Sequence, residues 1–107
     1  MGLPEYLMVV DIDVDPSVVD AWNEWYDEVH LDEIARCPGF ERATRYIAPV
    51  LDENGRARHL TIYELSRGDA LETPEFAAAR GLGPFSEQAT PRTRLYRRHL
   101  EFEAPDA

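Results

Sequence analysis

The chain has 107 residues, of which 44% are hydrophobic and 30% charged, and a formal net charge of −10. This length and composition are typical of one globular domain spanning residues 1–107, and no apolar run approaches the roughly 20 residues of a membrane-spanning helix. The negative charge argues against nucleic acids and anionic membranes as partners, and all 11 basic residues are arginine, which excludes lysine Schiff-base chemistry.

The first predicted element is a β-strand over residues 5–14. Its alternating apolar face consists of Met8, Val10, Ile12 and Val14. Asp11 and Asp13 interrupt the apolar run, and no basic region precedes it, so the pattern favours a strand over a signal peptide. We therefore expect a cytoplasmic protein.

A helix is predicted next, beginning at Asp15 or Ser17, either of which can cap it, and continuing to about Arg36. The Pro38-Gly39 pair that follows cannot continue a helix and should end it.

Two further strands are predicted over residues 40–50 and 57–66, separated by Asn54-Gly55, a strong signal for a hairpin turn. Period-two alternation in the first of them gives two faces, one with Phe40, Thr44 and Tyr46 and the other with Ala43 and Ile47.

The remaining elements are a second helix, a loop and a last strand. Thr73 is the predicted cap of the helix, which should end at Gly81. One short helical turn is expected at 84–89, and the last strand over 92–102.

The element order βαββαβ predicts a ferredoxin-like α+β fold, with a four-stranded antiparallel sheet and both helices on one face. Apolar residues occur on both faces of the strands, so the face without helices needs a cover. A second copy of the same sheet is the simplest cover, and we expect a homodimer formed by sheet-to-sheet packing. The alternative is a monomer whose open face is kept polar by Arg42, Arg94 and Arg98.

The first helix concentrates large rings on one side. At 100° per residue, its apolar arc contains Trp22, Trp25, Tyr26 and Val29. Glu33 falls near the middle of this arc and His30 on its shoulder. Because a buried carboxylate is costly unless it is paired, Glu33 lies either in solvent or in a polar cavity. His30 is either a packed side chain or a pocket residue able to move a proton near neutral pH.

The stretch W-x-x-W-Y-D-E-V-H-L-D-E-I, followed by C-P-G-F, resembles the first-helix signature of the dimeric α+β barrel superfamily, in particular its EthD-like members. The resemblance implies two sheets packed back to back and one cleft per protomer between helices and sheet. Such clefts serve cofactor-free monooxygenases, polyketide cyclases, lactone isomerases, dehydratases and, in other branches, haem enzymes. His30 matches the helix histidine that points into the cleft.

Other candidate groups lie on the later strands. His59 and Tyr63 share one face, and the pair either holds a ligand oxygen or lies at the surface or the dimer interface. His99 is expected to be exposed or structural, and Cys37 to be a small buried apolar residue. The last strand should pair its arginines with neighbouring acids, unless one of them binds a ligand carboxylate: Arg92, Arg94, Arg97 and Arg98.

These patterns favour a cofactor-independent enzyme that acts by proton transfer on a small hydrophobic, aromatic or polyketide-like substrate, as a cyclase, dehydratase or isomerase. The predicted catalytic residues are His30, Glu33 and Tyr26. The predicted substrate contacts are Trp22, Trp25, His59 and Tyr63. No metal or cofactor is expected. The alternatives are a cofactor-free monooxygenase of the same fold and a non-catalytic ligand-binding or stress-related dimer.

Overall fold

The computed structural model describes residues 2–105 and contains a four-stranded antiparallel sheet in the order β2-β3-β1-β4. The strands are β1 (Tyr6–Val14), β2 (Phe40–Ile47), β3 (His59–Leu65) and β4 (Ala89–Arg97). The helical segments are α1 (Val19–Trp25), a π-helical turn (Tyr26–His30), α2 (Leu31–Ala35) and α3 (Pro74–Ala79), with 3-10 turns at Pro16–Val18, Ala70–Glu72 and Gly83–Phe85. This is the predicted ferredoxin-like arrangement.

The core lies between the sheet and the helices. The inward side chains of β1 are buried as predicted: Met8, Val10, Ile12 and Val14. From the first helix, the Tyr26 hydroxyl reaches Tyr63 of β3, and from α3 the Phe76 ring stacks on Phe40 of β2 at 5.5 Å. Both helices therefore cover the same face of the sheet. None of the helices between residues 2 and 105 is long and apolar enough to cross a membrane.

The expected capping residues make their hydrogen bonds, Asp15 at the 3-10 turn that precedes α1 and Thr73 at the start of α3. The Asp15 carboxylate accepts hydrogen bonds from the Ser17 N–H at 2.9 Å and the Ser17 hydroxyl at 2.8 Å, so Asp15 is the cap of the two alternatives. The Thr73 hydroxyl accepts the Phe76 N–H at 3.1 Å. This second helix ends at Ala79, slightly earlier than predicted.

The strand ends differ from the prediction because pairing, not local composition, sets them. β4 was expected over 92–102 but pairs with the whole of β1, from Ala89 opposite Val14 to Arg97 opposite Tyr6. β2 and β3 are shorter than predicted and leave a loop over 48–58. Gly55 forms a turn at the tip of this loop, with φ +75°.

A register shift in β2 overturns the predicted faces of that strand. Phe40 pairs with Leu65, but Arg42 pairs with Glu64, so an extra residue is accommodated between them. The bulge moves Phe40 to the helix-covered face, and it is buried there. The grouping of Phe40 with Thr44 and Tyr46 was therefore wrong.

Candidate active site

The first helix changes register between Tyr26 and His30. The N–H of Leu31 donates to the carbonyl of Tyr26, five residues back, which is the π-helical pattern. A π turn adds one residue relative to an α-helix, so each later side chain is rotated by about 100° from its α-helical position.

Burial along the helix follows this rotated register. His30 is 5% exposed and Ile34 2%, whereas Val29 is 44% exposed and the Glu33 side chain 50%. The predicted inward position of Val29 was therefore wrong, since His30 occupies it, and Ile34 takes the inward position that an α-helical register gives to Glu33. Glu33 lies on the solvent side, one of the two alternatives for this residue.

Two aromatic rings enclose the His30 imidazole. It stacks on Trp25 with 4.9 Å between centroids and 18° between planes, and it meets Tyr26 edge-on at 5.0 Å. Burial lowers the pKa of His30, and the nearby Glu33 carboxylate partly opposes this shift. The His30 Nδ1 to Glu33 Oε1 distance is 3.7 Å, longer than a hydrogen bond. The imidazole is therefore neutral at pH 7.

His30 lines a cavity between the helices and the sheet. The cavity has a volume of about 40 Å³, and its mouth is open to solvent. The walls are largely apolar and include Met8, Val10, Ile34, Phe76 and Leu82. The polar side chains at the cavity are Tyr26, His30, Tyr63, Arg80 and Thr93. A mostly apolar space with a few polar groups is typical of a small-molecule site.

Two phenols at the cavity belong to one hydrogen-bonded chain. The Tyr26 hydroxyl lies 3.0 Å from Thr61 Oγ1 and 3.3 Å from the Tyr63 hydroxyl. Burial raises the pKa of both tyrosines, so both phenols are protonated at pH 7. Three hydroxyls carry three protons, and the two hydrogen bonds use two of them. If Thr61 donates to Tyr26 and Tyr26 donates to Tyr63, the Tyr63 proton is free to bind a ligand oxygen.

His59 lies in a neighbouring polar cluster instead of the cavity lining. Arg45 donates to Asp27 Oδ1 at 2.6 Å and Asn23 Oδ1 at 2.9 Å, and its Nη2 is 2.9 Å from His59 Nδ1. A guanidinium can only donate, so His59 Nδ1 accepts and the ring proton is on Nε2. Burial, and then the Arg45 charge, lower the pKa of His59. This neutral imidazole packs edge-on against Trp22 at 4.8 Å.

The structure therefore divides the predicted site residues into three groups. His30, Tyr26 and Tyr63 line the cavity, and Trp25 supports His30. The cluster around Arg45 contains Trp22 and His59, and Glu33 lies at the outer edge of the helix. Sequence reasoning missed Arg80, which caps the C-terminal end of α3. Its spacing of four residues from Phe76 places both side chains on the same side of the helix.

The remaining candidates lie away from the cavity. Cys37 is buried as predicted, with its thiol 3.5 Å from the Glu33 carbonyl, and His99 is exposed. Among residues 2–105, no three His, Cys, Asp or Glu side chains come together as metal ligands. Within the same range, none of the β4-region arginines lies within 4.0 Å of a carboxylate, so their predicted pairing was wrong: Arg92, Arg94, Arg97 and Arg98.

The sequence matches no family model and no curated protein. Solved structures are similar over nearly the whole chain. HapK from Hahella chejuensis has a TM-score of 0.65 at 17% identity, over 94% of this chain and 99% of its own. An ethyl tert-butyl ether D (EthD) family protein from Bacillus halodurans has 0.60 at 14% identity, over 83% and 96%. SnoaB, a cofactor-independent oxygenase from Streptomyces nogalater, has 0.57 at 17% identity, over 92% and 97%.

The chain has the ferredoxin-like α+β fold of these proteins. The ferredoxin-like protomer fold that the first-helix resemblance implied is thereby confirmed. Identities this low establish shared architecture and leave the chemistry to be argued from the site.

Proposed function

We propose that this protein is a cofactor-independent enzyme in which His30 removes a proton from a small, largely apolar ligand in the cavity. The observation that carries the proposal is a buried, neutral imidazole beside two protonated phenols in an apolar space. A neutral imidazole of this kind accepts a proton at neutral pH.

The chemical step uses groups that the cavity brings together. Because Nδ1 of His30 is the nitrogen nearest Glu33, Nε2 is assigned to take the proton from an acidic C–H or O–H of the ligand. The electron pair remains on the ligand as an enolate or phenolate, whose oxygen accepts a hydrogen bond from the Tyr63 hydroxyl. The Glu33 carboxylate, 3.7 Å from Nδ1, stabilises the imidazolium. Return of the proton to another carbon completes an isomerisation. In a dehydration the proton instead goes to a ligand hydroxyl, whose C–O bond breaks as water leaves. In a cyclisation the ligand carbanion forms a bond to a carbonyl carbon of the same ligand, and the resulting alkoxide takes the proton from His30.

The size of the cavity limits how much of a ligand it can enclose. Its volume of about 40 Å³ is well below the roughly 300 to 1,000 Å³ of sites for drug-sized molecules. A ligand would therefore place only its reacting part beside His30 and extend through the open mouth.

A second candidate function is cofactor-free monooxygenation. The observation that favours it is the similarity to SnoaB, which is described as a cofactor-independent oxygenase. The two functions share the first step, since the ligand anion formed by His30 can react either with a proton or with O₂. Oxygen consumption separates them because proton transfer consumes none.

Replacement of His30 by glutamine tests the shared step. We expect the wild type to exchange the acidic C–H protons of small 1,3-diketones with D₂O faster than buffer alone does, measured by NMR, and His30→Gln to lose this acceleration. His99→Gln is the matched control, because His99 is an exposed histidine away from the cavity. An oxygen electrode run on the same ligands distinguishes the two reactions. Full exchange by His30→Gln would remove His30 from the mechanism.

We also propose that the protein works as a homodimer through the face of the sheet opposite the helices. The strand registers place six apolar or aromatic side chains on this face: Leu7, Val9, Tyr46, Leu60, Ile62 and Tyr96. Tyr46 and Tyr96 are about half exposed in the protomer, and an apolar surface of this kind is typical of an interface. Ile62→Glu should give a monomer in size-exclusion chromatography with light scattering, whereas Glu64→Gln on the same face should remain dimeric.

A further inference from the structure

We infer that Arg45 is a positioning residue, which holds the π-helical turn against the sheet and thereby keeps the His30 imidazole at the cavity. The inference deepens the proposed function and rests on it for the catalytic role of His30. Arg45 is not one of the residues that line the cavity, so it acts through the helix and not on the ligand.

The guanidinium of Arg45 joins β2 to three other elements. Its Nη1 donates to Asp27 Oδ1 of the π-helical turn at 2.6 Å. Its Nη2 donates to Asn23 Oδ1 of α1 at 2.9 Å and to His59 Nδ1 of β3 at 2.9 Å. A guanidinium presents its N–H donors in a rigid planar fork, so these acceptors fix its orientation as well as its position.

Burial distinguishes Arg45 from the other arginines of the chain that form ion pairs. Its side chain is 11% exposed, whereas the other ion-paired arginines of residues 2–105 are at least 34% exposed. A buried charge that loses its partners is costly. The helix therefore cannot move away from Arg45 without leaving this charge unpaired.

Two rings of the first helix hold the flat face of the same guanidinium. Its Cζ lies 5.0 Å from the ring centre of Trp22 and 5.1 Å from that of Tyr26. Trp22 and Tyr26 are one helical turn apart, as are Asn23 and Asp27. One side chain thus contacts two successive turns, directly before the hydrogen bond that changes the helical register at Tyr26.

Tyr26 carries the constraint to His30. Arg45 pairs with Thr61 across the sheet, and the Thr61 hydroxyl lies 3.0 Å from the Tyr26 hydroxyl. The Tyr26 ring is therefore fixed on its face by Arg45 and at its hydroxyl by β3. Because this ring meets the His30 imidazole edge-on at 5.0 Å, it defines one side of the space that His30 occupies.

The π-helical turn needs support on both sides because this pattern is rare and the α-helical pattern is the ordinary one. On the C-terminal side, the turn is held by Ile34, which is 2% exposed in the core. On the N-terminal side, the contacts of Arg45 hold it. Without them the helix is free to return toward the α-helical register there, which brings Val29 toward the cavity and moves His30 away from Trp25.

NMR of the His30 ring protons tests the inference without a ligand, with their signals assigned by their loss in His30→Gln. In the wild type, stacking on Trp25 should shift these protons upfield through the ring current of the indole. Arg45→Met keeps the length of the side chain and removes its charge, and it should move the His30 signals most of the way to those of an unstacked histidine. It should also lower the accelerated exchange of 1,3-diketone protons about tenfold or more, since a displaced base loses its alignment with the ligand.

Arg58→Met is the matched control, because Arg58 is also an ion-paired arginine but its partners are Asp11 and Asp52, away from the first helix. It should keep the wild-type ring shifts and the wild-type exchange. A second pair of variants lies within the π-helical turn. Asp27→Ala removes an acceptor of Arg45 from an exposed position and should reduce the upfield shift, whereas Glu28→Ala, at an exposed acid beside it, should not.

His30 ring shifts that stay at their wild-type values in Arg45→Met would overturn the inference, because a contact that only stabilises the fold leaves the ring position in the folded protein unchanged. An equal change in Arg58→Met would overturn it as well. Lost ring shifts with undiminished exchange would refute the catalytic part. Should Arg45→Met fail to fold, Asp27→Ala decides, and unchanged shifts there overturn the inference. The proposed function fails separately, if His30→Gln keeps the accelerated exchange.

Discussion

Alanine substitutions at Ile34 and Val29 test the π-helical turn through protein stability. Ile34→Ala removes three carbon groups from a residue that is 2% exposed, which at about 0.8 kcal/mol per group costs about 2.4 kcal/mol. The cavity left behind adds to this cost, and the better helix propensity of alanine returns about 0.4 kcal/mol. We expect the free energy of unfolding to fall by about 2–3 kcal/mol.

Val29→Ala removes two carbon groups from a residue that is 44% exposed, so the loss is about 0.9 kcal/mol. Alanine is a better helix former than valine by about 0.6 kcal/mol, which leaves a net loss of about 0.3 kcal/mol. A straight α-helix gives the opposite ranking, since its register turns Val29 inward and Ile34 toward the edge of the apolar arc.

Urea unfolding followed by circular dichroism measures both variants against the wild type, at one protein concentration because a dimer would add a concentration term. With an m-value of about 1.5 kcal/mol/M, the Ile34→Ala midpoint should fall by roughly 1 to 2 M, and the Val29→Ala midpoint should shift by less than about 0.3 M. Equal losses, or a larger loss for Val29→Ala, would refute the assigned register.

Three further predictions concern the groups around the cavity. Activity should be lost as the pH falls through the His30 pKa. Glu33→Gln should move this acidic limb of the pH–activity profile to lower pH, because Glu33 raises the His30 pKa against the effect of burial. A limb at the wild-type pH would show that Glu33 has no influence on this pKa. Tyr26→Phe should lower the free energy of unfolding by about 1–3 kcal/mol, measured thermally, since it leaves the Thr61 and Tyr63 hydroxyls without their shared partner. Burial lowers the pKa of His30 and His59 below the ordinary value of 6.5, so the unfolded chain binds protons at a higher pH than the folded chain does. The free energy of unfolding of the wild type should therefore decline as the pH falls below about 6.5. A constant free energy of unfolding from pH 7 to 5 would contradict the burial of both histidines in their neutral form.

The sequence predicted those parts of the fold that depend on local patterns. Alternation in β1 identified its buried face, and the caps at Asp15 and Thr73 lie where residue chemistry placed them. The parts that depend on a partner were missed. The ends of β4 are set by its pairing with the whole of β1, which the sequence of β4 alone does not show. The face on which Phe40 lies is set by a bulge in the pairing of β2 with β3, which the alternation within β2 does not show.

The candidate site was predicted by residue type but not by arrangement. His30 was identified from its chemistry and from the first-helix resemblance, whereas the role of Arg45 as the centre of a polar cluster was not foreseen. Period-two alternation does place Arg45 on the same face as Ala43 and Ile47, and its burial depends on acceptors from α1 and the π-helical turn. A charged residue on an inward face becomes interpretable only when such acceptors are known.

The position of Glu33 in the apolar arc was the one sign of the π turn that the sequence contained. A carboxylate in the middle of a buried stripe is costly, and one inserted residue removes the conflict by bringing Ile34 inward. The same insertion replaces Val29 by His30 at the cavity, where Trp25, five residues earlier, can stack on it. An unbroken α-helix would present an apolar wall there, so the π turn is what brings an imidazole to the cavity.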